Sequence, residues 1–533
     1  MKNPSAPRLG HVGIWLATVL GIAAMAGGLM QLWLPHQQLH TEQLRLGTLP
    51  VRMVTDPRTD ADAPAVLIAH GFAASHQIML PFAVTLAHAG YRVYLLDFPG
   101  HGQNPTPLRG DMTDREGRHR QLRTALDEVM ALARTRGATE IGLLGHSMGS
   151  EVVVRYAQEH PGITAVVGVS LVYGEISATS PPNLLVITGA LEPGLHPLAQ
   201  HVADTAAGGS GTRDTTYGNF VDGTARRVVF APGVEHIGVL FSPISMARAL
   251  AWFQQAMPVA SPTPEPYLDN RAPWLGMTLL GASLLFLPLA QIIARLRPAP
   301  CRDARPALRH WWWGTALVPA LIAPIAVRLF PTGDWLPILV GGPLALHFAV
   351  YGLTTLIGVG VLVRRSQQPS TVSGSAALPV LLQPDRRWRD LLVISAAALL
   401  IIGYVLLSFG LPIHTFVLNY VPPVTRLPTV AAIIALMLPY FLADEWLTRG
   451  PWAPRGAYVI TKLVLIASLA LAIALNAQLF FLVLIAPLFG AYFLIYGLFS
   501  WIVFQRAGTP LIGALSNSVI FAWIVAVTFP LVR

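Results

Sequence analysis

The chain has 533 residues, 53% hydrophobic and 12% charged, with a formal net charge of +9 and a mean hydropathy of +0.54. Apolar material in this proportion excludes a disordered chain and calls for membrane spans. The positive charge does not point to nucleic acid, because residues 35–272 hold 17 arginines and no lysine against 21 acidic residues, near −4. The surplus sits in the rest of the chain. One cysteine, Cys301, excludes an intrachain disulfide and any cysteine-based metal cluster.

Residues 11–34, "HVGIWLATVLGIAAMAGGLMQLWL", are long enough to cross a hydrocarbon core of roughly 30 Å and follow Lys2 and Arg8. The small residues "AAMAG" also allow a cleaved signal peptide. The apolar run continues past them, beyond the usual signal core, which favours an uncleaved anchor at 1–34.

From 35 to 256 short apolar runs alternate with helical patterns. "AVLIAH" (65–70), "YRVYLLD" (91–97), "IGLLG" (141–145), "ITAVVGVSLV" (163–172), "NLLVITG" (183–189) and "RRVVFAP" (226–232) are apolar over most of their length. Strands covered on both faces read this way, which predicts a mostly parallel sheet between helices. "REGRHRQLRTALDEVMALARTRG" and "SPISMARALAWFQQAM" carry apolar residues at helical spacing and supply such layers. The expected fold is α/β, doubly wound, joined to an all-α transmembrane bundle.

Residues 257–272 hold four prolines and form a semi-stiff linker. From 273 to 533, eight apolar segments centre on 273–294, 311–330, 336–363, 391–410, 427–443, 457–475, 479–504 and 509–531. With the N-terminus in the cytoplasm, the inside stretches hold 16 Lys and Arg, and the opposite loops only Arg328, Arg426 and Arg533. That bias predicts a multi-pass protein of the cell membrane, with the α/β domain and the C-terminus extracytoplasmic.

Within the α/β region, Gly145-His146-Ser147-Met148-Gly149 follows a strand and opens a helix. A chain that reverses so sharply strains the serine backbone and needs small neighbours at 145 and 149; the strain lifts the hydroxyl clear of the sheet. Serine is a poor nucleophile unaided, so a base is required, and His236 stands in the turn after the strand at 226–232. Glu192, after the preceding strand, is the expected carboxylate; Asp204, Asp214 and Asp222 compete with it, whereas Glu235 adjoins the histidine too closely in sequence to face it. Two backbone donors are expected to hold an oxyanion, the amides of Met148 and of Phe72 in "AHGFAAS". His70 and Gly71 would shape that turn.

The order Ser147, Glu192, His236, with the "HGF" turn, "LLDFPGHGQN" and the "GHSMG" elbow, resembles the α/β-hydrolase superfamily over residues 40–256, nearest to its esterase, lysophospholipase and serine-aminopeptidase-like members. The resemblance implies an eight-stranded core sheet and ester or amide hydrolysis through an acyl-enzyme. It also implies that Asp97 stabilises a turn and is no triad member. Many relatives insert a helical lid after the strand at 163–172, but here only "YGEISATSPP" separates it from the next strand. The site is therefore expected to be open, or completed by the membrane surface or by the loop at 411–428.

The expected substrate is a lipid or acylated molecule at the membrane, with no cofactor, metal or nucleic acid. No feature specifies an oligomeric state. Peptidase, amidase or acyltransferase chemistry would use the same triad, and a transporter or scaffold with a non-catalytic α/β domain is the reading from another class. In the bundle, Asp444, Glu445 and Arg449 faintly resemble a motif of CAAX-type intramembrane proteases; their place at a span end lets them reach water. His347 is expected to make a helix–helix hydrogen bond, and Trp311–Trp313 an interfacial anchor.

Overall fold

The computed structural model describes residues 10–109, 115–259, 266–296, 308–330, 336–366 and 387–532. Lys2, Arg8, Cys301, the middle of the proline-rich linker and Arg533 lie outside them. The chain divides into two compact units. One comprises Met25–Thr278, Leu411–Thr425 and Val527–Arg533; the other comprises Met1–Ala24, Leu279–Gly410 and Arg426–Ala526.

The first unit is built on eight strands: β1 (His40–Leu46), β2 (Leu49–Thr55), β3 (Ala65–Ala69), β4 (Arg92–Leu96), β5 (Ile141–His146), β6 (Ala165–Val169), β7 (Leu184–Gly189) and β8 (Arg226–Ala231). They lie in the order β1-β2-β4-β3-β5-β6-β7-β8. The hairpin β1–β2 is antiparallel and β2 joins β4 antiparallel, while every pairing from β4 to β8 is parallel. The six strands from β3 to β8 are those the apolar runs predict. Their side chains alternate between two cores, so that Val66 and Ile68 face one layer and Ala65, Leu67 and Ala69 the other. The first layer holds α2 (Leu80–His88) and α6 (Pro243–Ala256); the second holds α3 (Arg115–Thr135), α4 (Met148–Glu159) and α5 (His196–Ala207). From Ser170 to Asn183, between β6 and β7, the chain forms no helix.

Among the described residues nine helical stretches are long and apolar enough to cross a membrane. The first is α1 (His11–Gln37). The others coincide with or overlap α7 (Arg271–Leu296), α8 (Arg309–Leu329), α9 (Gly341–Ser366), α10 (Arg387–Val405) with α11 (Leu411–Phe416), α12 (Leu427–Arg449), α13 (Ala457–Leu475), α14 (Phe481–Ala507) and α15 (Leu511–Thr528). Each overlaps one apolar segment of the sequence. In the helical unit α9 packs against both α8 and α12. At Gly352 it lies so close to α12 that a Cβ would come within 2.2 Å of the Tyr440 amide nitrogen.

Two expectations for this unit are corrected. Asp444, Glu445 and Arg449 do not reach water: Asp444 pairs with Lys462 at 2.5 Å, Glu445 with Arg449 at 3.2 Å, and Ser500 donates to Glu445. Asp444, Glu445 and Lys462 are buried, and only 7% of the Arg449 side chain is exposed. Lys462, counted above among the loop cations, lies inside α13, because a charge in an apolar bundle must meet its counter-charge. The tryptophan trio also divides. Trp312 is fully buried and donates to the Leu447 carbonyl, while Trp311 and Trp313 face outward. His347 bonds the Ser468 hydroxyl at 2.9 Å, joining α9 to α13 as expected.

Candidate active site

The turn from β5 into α4 holds Ser147 at φ 52°, ψ −119°, a conformation that side chains rarely adopt. The glycines on either side are demanded by backbone crowding. A Cβ at Gly145 would lie 2.2 Å from the Gly149 carbonyl oxygen, and one at Gly149 would lie 2.5 Å from that of Ala69. The helix therefore starts directly against the end of β3, and the serine is pushed outward. It is partly exposed, whereas Gly145, His146 and Gly149 are buried.

The structure brings together the three residues that the sequence places far apart. Ser147 Oγ lies 3.0 Å from His236 Nε2, and His236 Nδ1 lies 2.6 Å from Glu192 Oε1. A carboxylate on Nδ1 holds the proton there, leaving Nε2 free to accept from the serine hydroxyl. The other carboxylate oxygen of Glu192 accepts from the Gly189 amide at 2.6 Å and the Ser170 hydroxyl at 2.8 Å. The loops bearing Glu192 and His236 are tied by the hydrogen bond from the Leu191 amide to the Val234 carbonyl. Ser170 is a residue the sequence reading missed. Its only signal is its place at the end of β6, beside the end of β7.

Asp222 lies exposed in the turn before β8, and the other competing carboxylates are engaged elsewhere. Asp204 accepts from Gln200 and the Gly211 amide, Asp214 pairs with Arg227 and Arg248, and Glu235 accepts from the amides of Ile237 and Gly238.

His146 lies beside His236, its Nε2 donating to the His236 carbonyl at 2.9 Å with the rings 4.8 Å apart. Burial pushes His146 well below the ordinary histidine range, and the neighbouring His236 adds to this. His70 Nδ1 donates to the Gly71 carbonyl and its Nε2 accepts from the Phe98 amide; burial lowers its pKa too. Both rings are neutral scaffolding. Gly71 passes so near the elbow that a Cβ would sit 2.9 Å from His146 Nδ1 and 3.3 Å from Ser147 Cβ. Phe72 follows it directly, and Met148 is the first residue of α4, where backbone amides have no partner within the helix.

Asp97 is buried at the end of β4 and accepts from the amides of His76 and Gln103 and from His76 Nδ1. Burial opposes its charge, but His76 and these donors hold its carboxyl below the usual range. It organises the turn after β4, as the resemblance implies.

Residues 60–205 match the family model described as "Serine aminopeptidase, S33". Among curated proteins the chain is 29% identical over 122 residues to epoxide hydrolase B of Mycobacterium tuberculosis, covering 23% of this chain and 32% of that protein. It is 32% identical over 111 residues to esterase YjfP of Escherichia coli, covering 20% of this chain and 43% of that protein. The chain thus spans less than half the length of either relative. A solved structure described as a predicted CIB-like hydrolase from Thermoplasma acidophilum aligns at 16% identity and a TM-score of 0.32, covering 41% of this chain and 98% of its own. With the sheet order and the elbow, the family match over residues 60–205 gives the strand-built unit an α/β-hydrolase fold, joined in this chain to a large region of apolar helices.

Proposed function

We propose that the protein is a membrane-bound serine hydrolase that cleaves a lipid or acyl ester on the extracytoplasmic side through Ser147, His236 and Glu192. The observation that carries this reading is the continuous hydrogen-bonded path from the Ser147 hydroxyl through His236 to Glu192. In the first step His236 Nε2 takes the serine proton as Oγ bonds the substrate carbonyl carbon. Glu192 stabilises the imidazolium, and the amides of Met148 and Phe72 receive the negative oxygen. Expulsion of the alcohol, protonated by His236, leaves an acyl-serine. Water, deprotonated by the same ring, then releases the acid and restores the hydroxyl.

The nucleophile's chemistry selects among the relatives. Serine opening an epoxide would form an ether, which offers water no carbonyl to attack, so Ser147 suits acyl substrates and not epoxides. Amide cleavage has the description of the matching family model in its favour and would pass through the same acyl-serine. The loop cations, 15 against 3 once the buried Lys462 is set aside, support the extracytoplasmic placement, and the apolar helices support a lipid or lipid-linked substrate.

Labelling of membranes with a fluorophosphonate, followed by a panel of esters of rising chain length and matched anilides, tests the proposal. Wild type should label and turn over esters, and Ser147→Ala should lower turnover by about 10⁴-fold or more. Equal labelling of the alanine variant would refute it.

A further inference from the structure

The loop between α11 and α12 is far from the α/β region in sequence, yet part of it is built into that unit. Asn419, only 1% exposed, uses every polar group of its side chain and its own amide to bond two turns of the hydrolase domain. Its amide donates to Ser75 Oγ at 2.8 Å, and its Nδ2 donates to the Gly102 carbonyl at 3.2 Å. Its Oδ1 accepts from Gln103 Nε2 at 2.7 Å, and the second proton of that amide goes to the Val421 carbonyl at 2.6 Å. The loop is anchored at its other end. Arg271, buried in an ion pair with Asp269, donates to the Phe416 carbonyl at 2.9 Å. Near the end of the chain, Leu531 exchanges hydrogen bonds with the Gly100 carbonyl and the Leu108 amide, each 2.8 Å, so the same turn is gripped from a second side.

These two turns flank Phe72. Ser75 lies three residues beyond it, and between them Ala73 is held at φ 53°, a strained conformation for a residue with a Cβ. Across the gap, the Phe72 ring stands edge-on to His101, which belongs to the Gly100–Gln103 turn. A strained turn keeps its shape only where its surroundings over-determine it; here Asp97, accepting from the amides of His76 and Gln103, supplies one tie between the two turns and Asn419 a second.

On the serine-hydrolase reading above, we infer that Asn419 is a positioning residue of the active site: it clamps the Phe72–Ser75 turn against the Gly100–Gln103 turn and so fixes the Phe72 amide as an oxyanion donor. A segment carried between two helices thus supplies an ordering contact to a domain without a lid insertion. The clamp touches neither Ser147 nor His236, so it acts on the stabilisation of the oxyanion and not on the nucleophile–base pair. Small displacements of such donors are expensive; a shift of about 1 Å can lower a rate 10²-fold.

The test uses the full-length protein in detergent or nanodiscs, as wild type, Asn419→Ala and Ser75→Ala/Asn419→Ala, with the active fraction counted by fluorophosphonate titration. Per active molecule, kcat on a short soluble ester should fall about 10- to 100-fold in Asn419→Ala, with KM within about twofold. Inhibition by an alkyl trifluoromethyl ketone, which binds as an oxyanion, should weaken by a similar factor, and the double variant should lose more. If the variants only reduce the active fraction, and the survivors keep wild-type kcat and ketone affinity, Asn419 is merely structural and the inference fails. Loss of labelling specificity, with Ser147→Ala labelled like wild type, would overturn the hydrolase reading and the clamp with it. Normal Ser147-dependent labelling alongside unaffected Asn419→Ala kinetics overturns the clamp alone.

Discussion

In the hydrolase unit, hydrogen bonds run from Glu192 through His236 to Ser147 and end on a hydroxyl at a partly exposed position. In the helical unit, Asp444 and Glu445 meet Lys462 and Arg449, and the charges balance among themselves. The first arrangement is open at one end and the second is closed. An open network holds a reactive group in readiness for a partner it does not contain, as catalysis requires. A closed one makes buried charges tolerable in an apolar bundle and joins α12 to α13 and α14.

Substitutions separate the two kinds of network, because the open one should fail in rate and the closed one in stability. Glu192→Gln keeps size and burial but presents an amide to His236 Nδ1, favouring the wrong tautomer. It should lower kcat on a short ester by about 10³- to 10⁴-fold, with the melting temperature nearly unchanged. A loss of folding with normal turnover in the remaining fraction would contradict an open network. Lys462→Met should do the reverse, stranding Asp444 in an apolar setting at a cost of about 3–5 kcal/mol. Lys462→Met/Asp444→Leu should recover most of that, as read by thermal unfolding in detergent. Equal stability of single and double variants would show that the pair is not a unit.

The smallest expected effect concerns acid. His146 is buried neutral, and its folded pKa lies below the ordinary value of 6.5. Between those two values the unfolded chain binds the proton and the folded chain does not, so stability rises with pH and falls as pH drops below 6.5. His146→Gln should flatten the decline of hydrolase-unit stability below that pH by up to about 1.4 kcal/mol per pH unit. Identical slopes for variant and wild type would remove His146 from the neutral scaffold.

Much of the hydrolase core was legible because β3 to β7 are covered on both faces and read as largely apolar runs. The hairpin β1–β2 escaped that criterion. "HTEQLRL" is exposed or half-exposed along its length at the edge of the sheet, so its polar residues hide the strand. Ser147 could be named from its neighbours, since crowding at Gly145 and Gly149 is a local demand. Ser170 could not, because its bond to Glu192 depends on how the ends of β6 and β7 align.

Composition and local pattern alone determined that the chain joins a layered α/β domain to apolar helices, and that Ser147 stands on a strained turn. Those properties follow from which side chains avoid water and which backbone angles a short span permits. Which carboxylate holds His236, whether Asp444 and Lys462 meet, and that Asn419 bonds Ser75 and Gly102 were decided by tertiary structure. Such contacts join residues tens to hundreds of positions apart, and a hydrogen bond is set by a few tenths of an ångström that no sequence spacing encodes.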